Sequence, residues 1–307
     1  MRVIGIVGPT AVGKSSLAVR LAKKYNGEII SCDSMQIYRG MDIGTAKITE
    51  AEAEGVPHHL IDIRNPEDSF SCADYATLAR QAIEDISSRG KLPVFCGGTG
   101  LYLDSVLEIS SFGETVADEN YRRKMEEYAK EKGNEALHSL LYEIDPESAE
   151  AIHCNNVKRV IRALEIYKCT GKKKSVIDKE NKKHRSPYDA TVFFLTCENK
   201  DLLYERIEKR VDIMLENGLI EETKALYGMG VFEKSPTASA AIGYKELLPY
   251  LRGEAQLDDC ITQLKLSTRH YAKRQLTWFK KKEGYIPICV DKEDAYKVAC
   301  EILGDAL

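Results

Sequence analysis

The chain has 307 residues, room for one large domain or two modest ones, and its 43% hydrophobic and 30% charged content excludes a disordered or collagen-like chain. No apolar run approaches the ~20 residues of a membrane span, so no membrane partner is expected. Nine cysteines without one Cys-x-x-Cys pair speak against a disulfide framework or a four-cysteine zinc site, and for a reducing cytoplasm. The net charge of −4 by itself argues against a nucleic-acid partner, yet residues 168–185 hold eight Lys/Arg against two acids and residues 265–282 hold seven against none, and such tracts can still present a basic surface to phosphates or be solvated helix faces.

In chain order, residues 3–7 (Val-Ile-Gly-Ile-Val) read as a buried first strand, too short an apolar run for a signal peptide. A helix is expected over about 15–25, with Leu17, Val19, Leu21 and Ala22 apolar. Residues 28–32 and 92–96 read as further buried strands, the second bounded by Gly90 and Gly97 and preceded by a helix over 75–88. Strand, helix, strand with tight glycine turns implies a parallel sheet.

After Phe112 the pattern turns helical through about 118–170, interrupted at Pro146 and at 153–156. Val157, Val160, Ile161, Leu164 and Tyr167 form one stripe at helical spacing, Gly171 ends the helix, and a lysine-rich loop follows. A strand returns at 191–196, and the rest is mostly helical to Trp278, with a last strand near 286–290. The fold class expected is α/β: a P-loop NTPase-like parallel sheet core flanked by helices (1–114 and 189–307), with a helical insertion domain at 115–188.

Gly8-Pro9-Thr10-Ala11-Val12-Gly13-Lys14-Ser15 fits G-x-x-x-x-G-K-[ST] at every constrained position and lies between a strand and a helix. Backbone N–H groups and the helix N-terminus suit phosphate there, Lys14 offers a mobile cation, and the Ser15 hydroxyl suits Mg²⁺. Asp33, the first acid after the second buried strand, faces the ligand crevice of such a sheet. It could hold Mg²⁺, take a proton from an acceptor, or cap a turn. Gly97-Gly98-Thr99-Gly100 is a second glycine loop directly after a strand, and Thr99 offers it a hydroxyl. Arg206 and Arg210, at i and i+4, could share one helix face for phosphate or pair with nearby acids. His58 and His59 read as buried polar packing, and Trp278 and Phe279 as core.

Together these pieces resemble the tRNA dimethylallyltransferases, also called tRNA isopentenyltransferases. The most specific segments are Asp33-Ser34-Met35-Gln36-Ile37-Tyr38-Arg39-Gly40-Met41-Asp42-Ile43-Gly44-Thr45-Ala46-Lys47 and Thr268-Arg269-His270-Tyr271-Ala272-Lys273-Arg274-Gln275-Leu276-Thr277-Trp278-Phe279. Pro57-His58-His59-Leu60-Ile61-Asp62, Lys158-Arg159-Val160-Ile161-Arg162 and Ile242-Gly243-Tyr244-Lys245-Glu246 also match, and no Cys/His zinc-finger extension is present, as in bacterial members.

The resemblance implies transfer of a dimethylallyl group from dimethylallyl diphosphate to N6 of the adenosine 3′ of a tRNA anticodon. The cradle would then serve a diphosphate leaving group, with Mg²⁺. It also implies Asp33 as catalytic base and Thr99 as a hydroxyl at the substrate. Residues 8–15, with Arg206 and Arg210, would bind the donor. Asp33, Ser34, Met35, Gln36, Thr99, Arg122, Lys158, Arg159, Val160, Ile161, Arg162 and residues 240–245 would meet the tRNA anticodon stem-loop, the target base being extruded into a channel between the domains. A monomer is expected. The competing expectations are a small-molecule P-loop kinase, an adenylate isopentenyltransferase, and an RNA-binding module with a vestigial P-loop.

Overall fold

The computed structural model describes residues 1–107, 118–183 and 186–304. The expected domain boundary at 114/115 and the end of the basic tract at 184–185 lie outside the described residues. The chain separates into one unit of Met1–Asp104 with Tyr188–Leu307 and a second of Ser105–Pro187.

In the first unit, β1 (Arg2–Val7), α1 (Lys14–Lys24), β2 (Gly27–Cys32), α2 (Glu50–Ala53), β3 (His58–His59), α3 (Cys72–Ser88), β4 (Leu92–Gly97) and the start of α4 (Gly100–Leu107) precede the second unit. After it come β5 (Asp189–Thr196), α10 (Lys200–Glu216), α11 (Leu219–Gly228), α12 (Val231–Lys234), α13 (Leu248–Leu251), α14 (Leu257–Phe279), β6 (Ile286–Cys289) and α15 (Ala295–Leu303). The described strands form a six-stranded sheet in the order β3-β2-β4-β1-β5-β6, parallel throughout. Central strands covered on both faces must be apolar along their length, and Ile4, Ile6, Ile29, Ile30, Val94, Phe95 and Phe193 are at most 1% exposed. The two-residue β3 escapes detection in the sequence because it is too short to show alternation; it pairs Ile29 with His58 and Ile30 with His59.

The strand register fixes the site. Val7 and Cys32 both stand level with Gly97. The residues that follow them, Gly8, Asp33 and Gly98, therefore leave the sheet at one carboxyl edge, where open parallel sheets bind ligands.

The second unit holds α5 (Glu119–Lys132), α6 (Asn134–Ile144), α7 (Pro146–Ala151), α8 (Val157–Thr170) and α9 (Lys174–Lys183). Pro146 opens α7 at its first turn, where proline is tolerated, and Gly171 ends α8 at φ 69°. The lysine-rich loop is shorter than expected, because α9 forms within it. Asp145 is the reason: its carboxylate accepts from Ser148 N at 3.2 Å and from Ser175 N at 2.9 Å, so one buried acid caps two helix starts. The α8 stripe is buried from Val160 to Leu164, whereas Tyr167 is 38% exposed and falls outside it.

Candidate active site

The phosphate cradle is left open by its own helix. Gly13 caps α1 in the left-handed region at φ 96°, a conformation that favours glycine, and offers no side chain to the first-turn amides. By contrast α2 and α3 each begin with a full capping box, Thr49 with Glu52 and Ser71 with Asp74. The unclaimed amides of α1 and the positive end of its dipole suit an anion. Lys14 folds back to donate to Pro9 O at 2.6 Å. Burial, with the Arg210 charge adding to it, lowers the Lys14 ammonium to about 8.

A cavity of about 320 Å³ opens beside this loop. Thr10, Lys14, Ser15, Asp33, Ser34, Met35, Gln36 and Arg210 all line it, as do Gly97 and Gly98 from the second glycine loop and Tyr271, Arg274 and Gln275 from α14. Arg210 is a half-buried cation whose ionisation burial opposes and Asp33 supports. Asp33 accepts from Met35 N at 2.9 Å through Oδ1, so it does hold a turn, while no hydrogen bond among the described residues claims Oδ2. Thr99 sits one step behind the wall. Its hydroxyl accepts from Ser34 N at 3.1 Å, and Tyr271 lines the cavity itself.

The 33–47 segment is irregular chain, and its side chains are the brackets that hold it. Gln36 accepts from Ser31 Oγ at 3.1 Å and donates to Thr45 O at 3.2 Å. Lys47 donates to Tyr38 O and to the Asp42 and Asp62 carboxylates. Glu222, on α11, collects the Asp42, Ile43 and Gly44 amides at 2.8–3.0 Å and the Tyr244 hydroxyl at 2.7 Å. An irregular wall needs such polar anchoring because no ladder satisfies its backbone.

Several expected residues lie elsewhere. Arg206 does not share the cavity with Arg210. It lines a separate depression with Val12, Gly13, Arg20, Glu293 and Asp294, because one helical turn along α10 carries it past the P-loop wall. Val12 is itself core, 2% exposed, and Gly8, Pro9 and Ala11 contribute the backbone of the loop rather than wall side chains. In the second unit, Val160 and Ile161 are 0% and 3% exposed in the helical core, so their side chains cannot reach an RNA. Arg122 and Arg162 both pair with the buried Glu165. Burial pushes that carboxyl up, but the two guanidiniums outweigh it and hold it below the usual carboxylate range. Lys158 and Arg159 are exposed and carry no ion pair among the described residues. Within the lysine-rich tract, Lys168, Lys172, Lys174 and Lys179 each hold an acid, Asp118, Glu180, Asp178 and Glu147 in turn.

His58 Nδ1 bonds Val56 O at 2.8 Å and His59 Nε2 bonds Glu28 at 2.7 Å. Phe279 is 1% exposed, and the partly buried Trp278 lies against Gly100. The donors at the cavity edge are hard oxygens, the Ser15 hydroxyl and the Asp33 carboxylate, and no group of three His, Cys, Asp or Glu side chains is assembled among the described residues. A divalent cation fits such a site only with most of its ligands drawn from a bound phosphate and water, as hard cations with few protein ligands are held. No helix among the described residues is long and apolar enough to cross a membrane.

The family model described as IPP transferase matches residues 36–282. A tRNA dimethylallyltransferase of Bacillus cereus (strain B4264) is 53% identical over 282 residues, 92% of this chain and 87% of the relative. The full-length tRNA isopentenylpyrophosphate transferase of Bacillus halodurans superposes with a TM-score of 0.72 at 50% identity, covering 98% of this chain and 94% of that one. A eukaryotic dimethylallyltransferase, solved acting on tRNA, gives a TM-score of 0.84 at 35% identity, over 99% of this chain and 79% of that one.

Proposed function

Because the chain belongs to the IPP transferase family, we propose that it moves the dimethylallyl group of dimethylallyl diphosphate to N6 of the adenosine 3′ of a tRNA anticodon. The observation that carries this is the level register of β1, β2 and β4, which brings a cationic phosphate cradle and a half-free carboxylate into one cavity. In the transfer, the allylic C–O bond breaks and its electron pair leaves with the diphosphate. A C–N bond forms from the adenine amine, and Asp33 Oδ2 takes the proton that the new amine sheds. Lys14, Arg210 and the α1 amides meet charge that grows on the departing oxygen, which is where preorganised donors stabilise a transition state most. Mg²⁺, which the Ser15 hydroxyl would hold together with the diphosphate, would supply further charge neutralisation.

The test offers labelled dimethylallyl diphosphate with bulk tRNA, AMP and ADP as separate acceptors. Label is expected in tRNA alone. Labelling of AMP or ADP with none in tRNA assigns the chain to free nucleotides instead.

The helical unit is the RNA-binding insertion in this proposal, supported by the unpaired cations of α8. Lys173 adds one more cation without an acid among the described residues, whereas Lys172 and Lys174 are already neutralised. Replacing Lys158 and Arg159 together by alanine is expected to weaken tRNA binding and to flatten the slope of log K against log salt by about 2, roughly one per cation. The KM for the donor is expected to stay the same. An unchanged salt slope in a filter-binding titration would remove both residues from the RNA surface.

A further inference from the structure

The P-loop and the second glycine loop follow different strands, yet one side chain spans them. Gln275 of α14 accepts from Thr10 N at 2.9 Å through Oε1 and donates from Nε2 to Gly98 O at 3.0 Å. It is 5% exposed. A Cβ on Gly98 would lie 2.0 Å from Nε2, so that glycine is the close approach that admits the amide. One turn earlier on the same helix face, Tyr271 lines the same cavity. Through the Gln275 side chain the long helix grips the cradle for the leaving group at one loop and the glycine loop that carries Thr99 at the other.

We propose that Gln275 is a positioning residue that fixes the spacing between the diphosphate cradle and the Asp33–Thr99 wall. By taking the Thr10 amide it also decides which amides face the ligand: those from the start of α1 are left for the anion, and Thr10 is not. A side chain that must accept at one end and donate at the other is satisfied by an amide and by a protonated carboxyl, but not by a carboxylate. A carboxylate there would turn an acceptor toward Gly98 O and set negative charge beside the cradle. The inference rests on the assignment of that cradle to a diphosphate.

That logic sets the test. Gln275→Met keeps the volume and loses both bonds; Gln275→Glu keeps the shape and regains both bonds only when protonated. Both are compared with the native protein for binding of inorganic diphosphate by titration calorimetry, for donor KM and kcat, and for melting temperature, from pH 6 to 8. Gln275→Met is expected to lose about 10–100-fold in donor kcat/KM at every pH, the scale set by small misplacements of a reacting group. Gln275→Glu, ionised across this range, is expected to lose at least as much, for both diphosphate affinity and donor KM. Diphosphate affinity and donor kinetics within twofold of native for both variants would overturn the positioning role. So would failure of both variants to fold, which would make Gln275 structural only. If native protein itself binds no diphosphate and transfers no label, the proposed function fails instead, and the two failures are distinct.

Discussion

Asp33→Asn is expected to bind donor and tRNA nearly as the native protein does and to lose about 10²–10⁴-fold in the chemical step, the range for a positioned general base. The structure sharpens why this substitution is informative. Asp33 does two things at once: Oδ1 receives the Met35 amide, and Oδ2 stands in the cavity wall without a hydrogen bond from any described residue. Asparagine keeps a carbonyl oxygen for the Met35 amide, so the turn and the melting temperature should persist. What it cannot do is accept a proton at the second position. If the turn were the whole of the role, the rate would barely change. If cation binding were the whole of it, rising Mg²⁺ would restore much of the rate. Single-turnover transfer across a Mg²⁺ series, with melting followed in parallel, separates these outcomes, and a near-native rate at ordinary Mg²⁺ removes Asp33 as the base.

Lys14→Ala is expected to cost about 10²-fold or more in donor kcat/KM, as the loss of one preorganised contact to developing charge typically does. It should not cost stability. A lysine whose folded pKa is lowered, here to about 8 by burial first and by Arg210 in addition, disfavours folding below its unfolded pKa, where the unfolded chain binds the proton more tightly. Removing it therefore relieves that penalty at neutral pH, and the variant is expected to melt no lower than native. The same shift gives a pH signature. In the free native protein the Lys14 ammonium deprotonates as pH rises through about 8, so donor kcat/KM should fall on that alkaline limb. Lys14→Ala should show the loss at every pH and lack the limb. An alkaline limb that survives in Lys14→Ala belongs to another group.

The parts of the fold that a sequence shows well are those governed by local chemistry. The P-loop, Gly171 as a helix stop and the apolar central strands each follow from steric or burial demands that one stretch of chain displays by itself. Asp33 was legible as a strand-end acid, although its competing roles were not resolvable, and both turn-holding and cavity-facing atoms are present in the structure. What stayed hidden depends on register and on contacts distant in sequence. Glu222 is one of two adjacent acids in the first turn of α11, and nothing in that turn signals that three amides 178–180 residues away will converge on its carboxylate and not on Glu221. Gln275 and Tyr271 were visible as letters of a distinctive segment, and their i, i+4 spacing could have placed them on one face. The partners of Gln275, Thr10 and Gly98, lie 265 and 177 residues away. Arg206 and Arg210 show the limit of helical spacing as an argument: one turn apart on α10, they line different depressions, Arg210 with Lys14 and Asp33, Arg206 with Arg20 and Asp294. Val160 and Ile161 show the opposite case, since their place in the apolar stripe already argued for burial over RNA contact.

The measurement that bears most directly on the account is the stoichiometry of transfer, with diphosphate release and prenyl incorporation into tRNA quantified in one reaction with and without ATP. One diphosphate is expected for each prenyl group attached to tRNA, with ATP neither required nor hydrolysed. Tyr271, Gln275 and the half-free Asp33 carboxylate then belong to a cavity built to release diphosphate rather than to cleave a nucleoside triphosphate. Robust tRNA-stimulated release of orthophosphate from ATP, with no prenyl group appearing in the RNA, would contradict it.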